Sequence, residues 1–421
     1  MAAINPVPPL GLYVHLPWCT RKCPYCDFNS HASSDIPEAA YVDALLADLD
    51  HEIPRITGRS VDSIFIGGGT PSLFSVAAIR SLLDGIRARV DLAADCEITL
   101  EANPGSVEAD RFVGYRSAGV NRLSIGVQSF DDAALKQIGR IHDARAAHRA
   151  LDLAQAAGIE RINVDLMYGL PGQSWQAALA DVEQALGHGV SHLSHYELTI
   201  EPNTLFHRFP PERPDEDAIW QMHTRSVARV EGAGFGRYEI SAYARPGAEC
   251  RHNLNYWRFG DYLGIGAGAH GKLTDGVRAV VERSSKHRHP RCYLASRGAG
   301  EHEAERRLVP ATELPLEFML NALRLLEGFS EALFEARTGL VAATIAAPLH
   351  KAEALGLIDH RDGLIRPTAR GTRFLNDLLL LFQEPSPASA KRAPIRIFSS
   401  PRWIAPRTAP ARISNSSRLA V

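Results

Sequence analysis

The segment LYVHLPWCTRKCPYCDF, Leu12–Phe28, sets a short apolar run against three thiols, Cys19, Cys23 and Cys26. How those thiols are read decides the fold. The closing CPYC has the spacing of a redox dithiol. That chemistry calls for a thioredoxin-like domain in which the motif opens a helix after an early strand. The full CxxxCxxC spacing instead suits donors to three irons of a cubane cluster, with the fourth iron left bare. A bare iron can chelate a small molecule carrying an amine and a carboxylate. Zinc is a further reading, in which a structural site takes four ligands and a catalytic site three plus water. The dithiol leaves Cys19 unexplained. The cluster therefore stands first, zinc second and the dithiol third.

The chain around the segment argues the same way. From Leu12 onward, apolar runs alternate with helical patterns. The runs are LYVHL, VDSIFIG from Val61, EITLEAN from Glu97, NRLSIGV from Asn121, RINVDLMYG from Arg161 and HLSHYELT from His192. Between them lie amphipathic stretches such as AAYVDALLADLDHEI and AALADVEQALGHG. This rhythm predicts parallel strands joined by helical crossovers. The expected form is a closed or partly open α/β barrel, with a doubly wound sheet as the rival. In such a barrel, chemistry gathers at the carboxyl ends of the strands. Polar residues fall there repeatedly: the three cysteines, GGGTP at Gly67–Pro71, then Glu101, Gln128, Asp165, and Tyr196 with Glu197.

Beyond Thr312 the pattern is helical, in PLEFMLNALRLLEG and ATIAAPLHKAEALG, and then turns to LIDHRDGLIRPT, two short runs around Asp-Gly. Asp-Gly between such runs predicts a hairpin, so residues 312–384 read as a small, mostly helical, winged-helix-like domain. It has no basic recognition helix and is read as a cap, with no nucleic acid as partner. Residues 385–421 are rich in Pro, Ser, Ala and Arg and contain no acid, which predicts disorder.

The formal net charge of -2 excludes a general nucleic-acid binder. No apolar run approaches a membrane span, and the opening MAAINPVPPLG lacks the basic and apolar regions of a secretory signal. Six cysteines in 421 residues, three of them in one loop, suit metal chemistry in a reducing compartment better than a disulfide framework. A cytoplasmic location is expected.

In this order, YVHLPWCTRKCPYCDF, GGGTPS, EANPGS, GVQSF, DLMYGLPGQ and HYELT resemble the radical S-adenosylmethionine (SAM) superfamily. The resemblance is to the branch of oxygen-independent coproporphyrinogen III oxidases and their heme-chaperone relatives. It runs from about Gly11 to Gln383. It implies a partial (β/α)6 barrel core over residues 1–245, a connecting region over 246–311 and the C-terminal domain over 312–384. It implies a [4Fe-4S] cluster on Cys19, Cys23 and Cys26, with SAM at the open iron and an electron donor as partner. Tyr13, Gly68 and Glu101 match positions contacting one SAM. Gly69, Thr70, Gln128, Arg140 and Asp165 match positions that hold a second SAM in the oxidase. The acids suit ribose hydroxyls or an ammonium, and Arg140 suits a carboxylate.

Two departures separate the oxidase from the chaperone. The oxidase continues its motif with a further Cys where this chain has Phe28, and it carries a longer extension before its first strand, where this chain has only MAAINPVPPL. The segment CRHNLNYW, Cys250–Trp257, contains HNxxYW, which resembles the mark of the heme-chaperone branch. Alone it reads as an ordinary loop with a buried Trp and a hydrogen-bonded His. With the resemblance, His252 becomes a candidate axial ligand for heme, Cys250 an alternative, and Tyr256 and Trp257 flat faces for the porphyrin. The expected function is a heme chaperone passing heme as cargo to acceptor apoproteins, with transient membrane association at some acceptors. The alternative is the oxidase.

Overall fold

The structure, a computed structural model, describes residues 4, 7–105, 111–296, 298 and 300–383. The expected tail, 385–421, lies outside the described residues. All six expected strands are present: β1 (Leu10–Leu16), β2 (Val61–Gly68), β3 (Leu92–Ala102), β4 (Arg122–Gln128), β5 (Arg161–Tyr168) and β6 (His192–Glu197). Every residue of β1 and β4 is buried, as expected for strands covered on both faces. They run in sequential order, each parallel to the next. Helices such as Glu38–Glu52 and Trp175–Gly187 supply the crossovers. A doubly wound sheet would reverse its strand order partway, and this sheet does not.

The sheet is wider than the sequence predicts, and it does not close. After β6 come the short β7 (Gly236–Arg237) and β8 (Ala242–Ala244), which extend the β6 edge antiparallel. On the other side, β9 (Asp261–Ile265) pairs in parallel with β1, Leu10 facing Asp261 and Val14 facing Ile265. Then β10 (His270–Asp275), β11 (Val280–Lys286) and β12 (Glu303–Leu308) continue antiparallel. Among the described residues this makes one twelve-stranded sheet. The parallel strand β9 is five residues long and runs into Gly264, Gly266 and Gly268, so its sequence reads as loop. Gly264 is required there, because a Cβ would stand 2.0 Å from the carbonyl oxygen of His270.

The C-terminal region is helical, as expected, with a hairpin of Ile358–Arg361 and Leu364–Pro367. Asp362 and Gly363 at its tip both have positive φ, the type I′ turn that Asp-Gly favours. Its core, built on Phe318, Phe329 and Phe334, also takes in Val281 of β11 and Val309 next to β12. Among the described residues, no helix is long and apolar enough to cross a membrane.

Candidate functional site

A cleft of about 1020 Å³, counted with its open mouth, lies at the carboxyl ends of the parallel strands. One wall is the loop that follows β1. Trp18–Cys19 pairs with His31–Ala32, which ties the base of that loop. Within it, Cys26 N–H donates to the Cys23 carbonyl at 3.1 Å, and Lys22 Nζ donates to the Phe28 carbonyl at 3.0 Å. Cys19, Cys23 and Cys26 all line the cleft. Each thiol has a polar neighbour: Thr70 Oγ1 donates to Cys19 at 3.5 Å, Arg140 Nη1 to Cys23 at 3.8 Å, and Ser30 Oγ lies 3.9 Å from Cys26. Burial pushes the Cys19 thiol up to about 11, so it keeps its proton near neutral pH unless a bound metal displaces it.

The strand ends form the rest. Gly69, Thr70, Glu101, Gln128, Arg140 and Asp165 line the same cleft as the cysteines. Glu101 accepts from Gly68 N–H at 3.0 Å. Burial, and then the neighbouring Asp165 carboxylate, push Glu101 up to about 8. Asp165 is also raised by burial, against a hydrogen bond at 2.8 Å from Asn163 Nδ2. Two carboxylates that resist ionisation favour a ligand that brings positive charge or hydroxyl donors. Gln128 holds a positive φ of 72°, rare for a side chain of its size, and accepts from Tyr196 O–H at 2.7 Å. Arg140 Nη2 donates to Asn103 Oδ1 at 2.6 Å, and Asn103 Nδ2 donates to Thr70 Oγ1 at 2.8 Å. A hydrogen-bonded path thus joins Cys23 to Cys19 through Arg140, Asn103 and Thr70.

Tyr13 and Gly68 are not on the cleft wall. Tyr13 lies behind it. The His15 ring donates from Nε2 to the Asn29 carbonyl at 2.8 Å, so its Nδ1 accepts from Tyr13 O–H at 2.9 Å. A Cβ on Gly68, whose φ is +120°, would stand 2.8 Å from the His15 ring, and one on Gly69 would stand 2.4 Å from the Trp18 carbonyl oxygen. Those two glycines therefore let β2 close on β1. Glu197 points away from the cleft and pairs with Arg213.

Sequence reading missed Asn103, Arg122, Ser124, Asn163 and Ser194, which also line the cleft. The signal was available. In RLSIGVQ, Arg122, Ser124, Gly126 and Gln128 fall on one face of the strand at period two, as do Asn163 with Asp165 and Ser194 with Tyr196.

The HNxxYW segment is a helix, Arg251–Trp257, rather than a loop. Glu97 of β3 caps it: its Oε1 accepts from Arg251 N–H at 2.9 Å, and Cys250 Sγ sits 3.6 Å away. The cleft does not receive His252. That side chain has no exposed surface, its Nδ1 is 2.8 Å from Ser63 Oγ, and its ring stacks on Phe65 at 5.5 Å and 29°. Its Cε1 is 3.0 Å from where a Cβ on Gly11 would be. Tyr256 packs edge-on against His252 and Tyr262, and Arg324 lies 4.5 Å over the Trp257 ring. The motif residue on the cleft wall is Asn253.

With this geometry in place, the likeness to known proteins can be read. Residues 13–185 match the Radical SAM superfamily model, and residues 309–374 match the HemN C-terminal domain. The chain is 52% identical over 377 residues to the heme chaperone HemW of Escherichia coli, covering 89% of this chain and 98% of that one. The chain belongs to the HemW family. Within that family it is 35% identical over 393 residues to heme chaperone HemW of Mycobacterium tuberculosis, covering 90% and 96%. The solved E. coli coproporphyrinogen III oxidase HemN has the same fold, with a TM-score of 0.77 over 91% of this chain and 92% of that one, at 23% identity. Among these proteins the HemW-family names, not the oxidase, carry the high identity.

Proposed function

We propose that this chain is a cytoplasmic heme chaperone that holds a [4Fe-4S] cluster on Cys19, Cys23 and Cys26, binds SAM in the cleft, and passes heme to acceptor apoproteins, membrane-associated ones included. The observation that carries this reading is the shared cleft. The three thiols occupy one wall, and Glu101, Asp165, Gln128 and Arg140 occupy the others. The donor set fits the cluster: three soft thiolates on one loop. When bound, the cluster supplies an electron from a one-electron donor and an iron that chelates SAM.

The protein's own groups hold and orient. Glu101 and Asp165 accept from an ammonium or from ribose hydroxyls, and Arg140 neutralises a carboxylate. Gly69 and Thr70 line that wall, with Thr70 adding a hydroxyl, and Tyr13 and Gly68 support it from behind. Phe28 stands on the cleft wall where the oxidase motif has its further cysteine, which favours the chaperone.

The test is anaerobic reconstitution followed by heme titration. The expected result is close to four irons and four sulfides per chain, a cluster spectrum that changes on adding SAM, and uptake of heme. Failure of the wild type to take up heme removes the chaperone reading. Turnover of coproporphyrinogen III to protoporphyrinogen IX would replace it with the oxidase.

A further inference from the structure

The motif that marks the family and the cysteine loop are physically continuous. His252 is bonded to Ser63 and stacked on Phe65. Phe65, itself on the cleft wall, stacks on Tyr13 at 6.4 Å and 24°. Tyr13 donates to His15, and His15 donates to the Asn29 carbonyl, three residues beyond Cys26. Asn29 Nδ2 in turn donates at 2.8 Å to the carbonyls of Ala267 and Arg288, which anchors the far end of the cysteine loop to the chain beyond β9 and β11. Along this route each contact fixes a group on which the next depends. The one HNxxYW side chain that reaches the cleft is Asn253, held by Cys250 Sγ at 3.0 Å from its Oδ1.

An axial heme ligand must offer a ring nitrogen to an iron at the centre of a wide, flat porphyrin. His252 is enclosed by Gly11, Ser63, Phe65 and Tyr256, with no surface exposed. Its surroundings do not fit that role. They fit a side chain that sets the position of an aromatic wall.

We propose that HNxxYW is a positioning element of the SAM cleft: His252 fixes Phe65, Tyr13 and the end of the cysteine loop, Asn253 contacts SAM, and the heme iron takes its ligand from elsewhere. This rests on the cluster-and-SAM reading above. His252 is thus a positioning residue, and Asn253 is the motif's binding residue.

Two measurements on the full-length, reconstituted protein test it. The first is heme titration of the wild type and His252→Leu, followed at the Soret band. The expected result is equal stoichiometry and the same Soret maximum. Loss of uptake in His252→Leu, with recovery of the wild-type spectrum when imidazole is added to His252→Gly, would overturn the proposal. The second is SAM affinity, read from the change that SAM makes in the electron paramagnetic resonance of the reduced cluster. Ser63→Ala and Phe65→Leu interrupt the route at different points, and Asn253→Ala removes the binding residue, all without removing His252. Each is expected to bind SAM about 3- to 10-fold more weakly, the scale of one hydrogen bond or aromatic contact. Their iron and sulfide counts should match the wild type, which separates this effect from misfolding. Wild-type affinity and spectra in all three would also overturn it. If the wild type takes up no heme, the chaperone reading fails, and the SAM measurement alone decides the positioning role.

Discussion

The cysteine loop and the HNxxYW helix both carry residues suited to metal ligation, and the fold treats them in opposite ways. Cys23 and Cys26 are only half-buried, and with Cys19 they face an open cleft. His252 and Cys250, equally able to ligate as residue types, are enclosed without exposure. Burial also keeps both side chains uncharged near neutral pH. It lowers His252 to about 3, with the Arg122 charge assisting, and raises the Cys250 thiol to about 12. A motif therefore carries chemistry only when the fold gives it both a donor atom and an approach path. A His or Cys in a family signature can equally be part of the scaffold.

The largest test of this contrast is at the thiols. Cys19→Ala, Cys23→Ala or Cys26→Ala should each reduce iron to near zero after anaerobic reconstitution, since two thiolates hold a cubane poorly. Cys96→Ala and Cys292→Ala should keep full iron, because Cys96 is a core side chain of β3 and Cys292 lies exposed on the short helix Pro290–Ala295. Iron loss from either of these would mean that the wrong donors had been assigned.

Next in size is Glu97, which holds the helix of the second region. Its carboxylate caps the helix and lies 3.3 Å from Arg161. Glu97→Ala should cost about 3 kcal/mol, as removing one partner of a buried ion pair does, measured by urea unfolding of the apoprotein. A loss below about 0.5 kcal/mol, the level of an ordinary surface change, would show that the packed helix needs no such anchor.

The two regions should also respond to pH with opposite sign. Glu101 has a folded pKa raised from 4.5 to about 8. Its contribution to apoprotein stability is complete below pH 4.5 and is lost as pH rises to about 8. His252 has a folded pKa lowered from 6.5 to about 3. Its contribution is complete above pH 6.5 and is lost as pH falls to about 3. Unfolding midpoints across this range should show Glu101→Gln flattening the alkaline limb and His252→Asn flattening the acid limb. If both substitutions act on the same limb, the contrast between an open cleft and a packed interior is wrong. The smallest expected effect is that of Thr70→Val, which removes the hydroxyl between Asn103 and Cys19. It should retain its iron and lose about 1 kcal/mol of stability, the net value of one hydrogen bond.

Much of this architecture was legible beforehand. Six buried parallel strands announce themselves through apolar runs, and the polar residues at their ends place the cleft. Strand β9 was not legible, because a five-residue strand that runs into glycines has no periodic signal. Its role as a neighbour of β1 exists only through pairing across about 250 positions of chain, whose closure entropy leaves no local trace. Asn103, Asn163 and Ser194 were legible in principle from two-residue alternation. They were passed over because an asparagine or serine in a strand also fits ordinary backbone bonding.

The order of residues alone settled that three sulfur donors share one loop, that helices return the chain between parallel strands, and that charged groups end those strands. These are short-range facts, set by spacing and by the two-residue and 3.6-residue repeats. Which side of each motif meets solvent was settled only by assembly. His252 and Cys19 are both chemically competent, but packing of β1, β2 and the Arg251–Trp257 helix closed one of them off and left the other at a cleft wall. Exposure depends on what distant segments press against a side chain, and no local pattern records that.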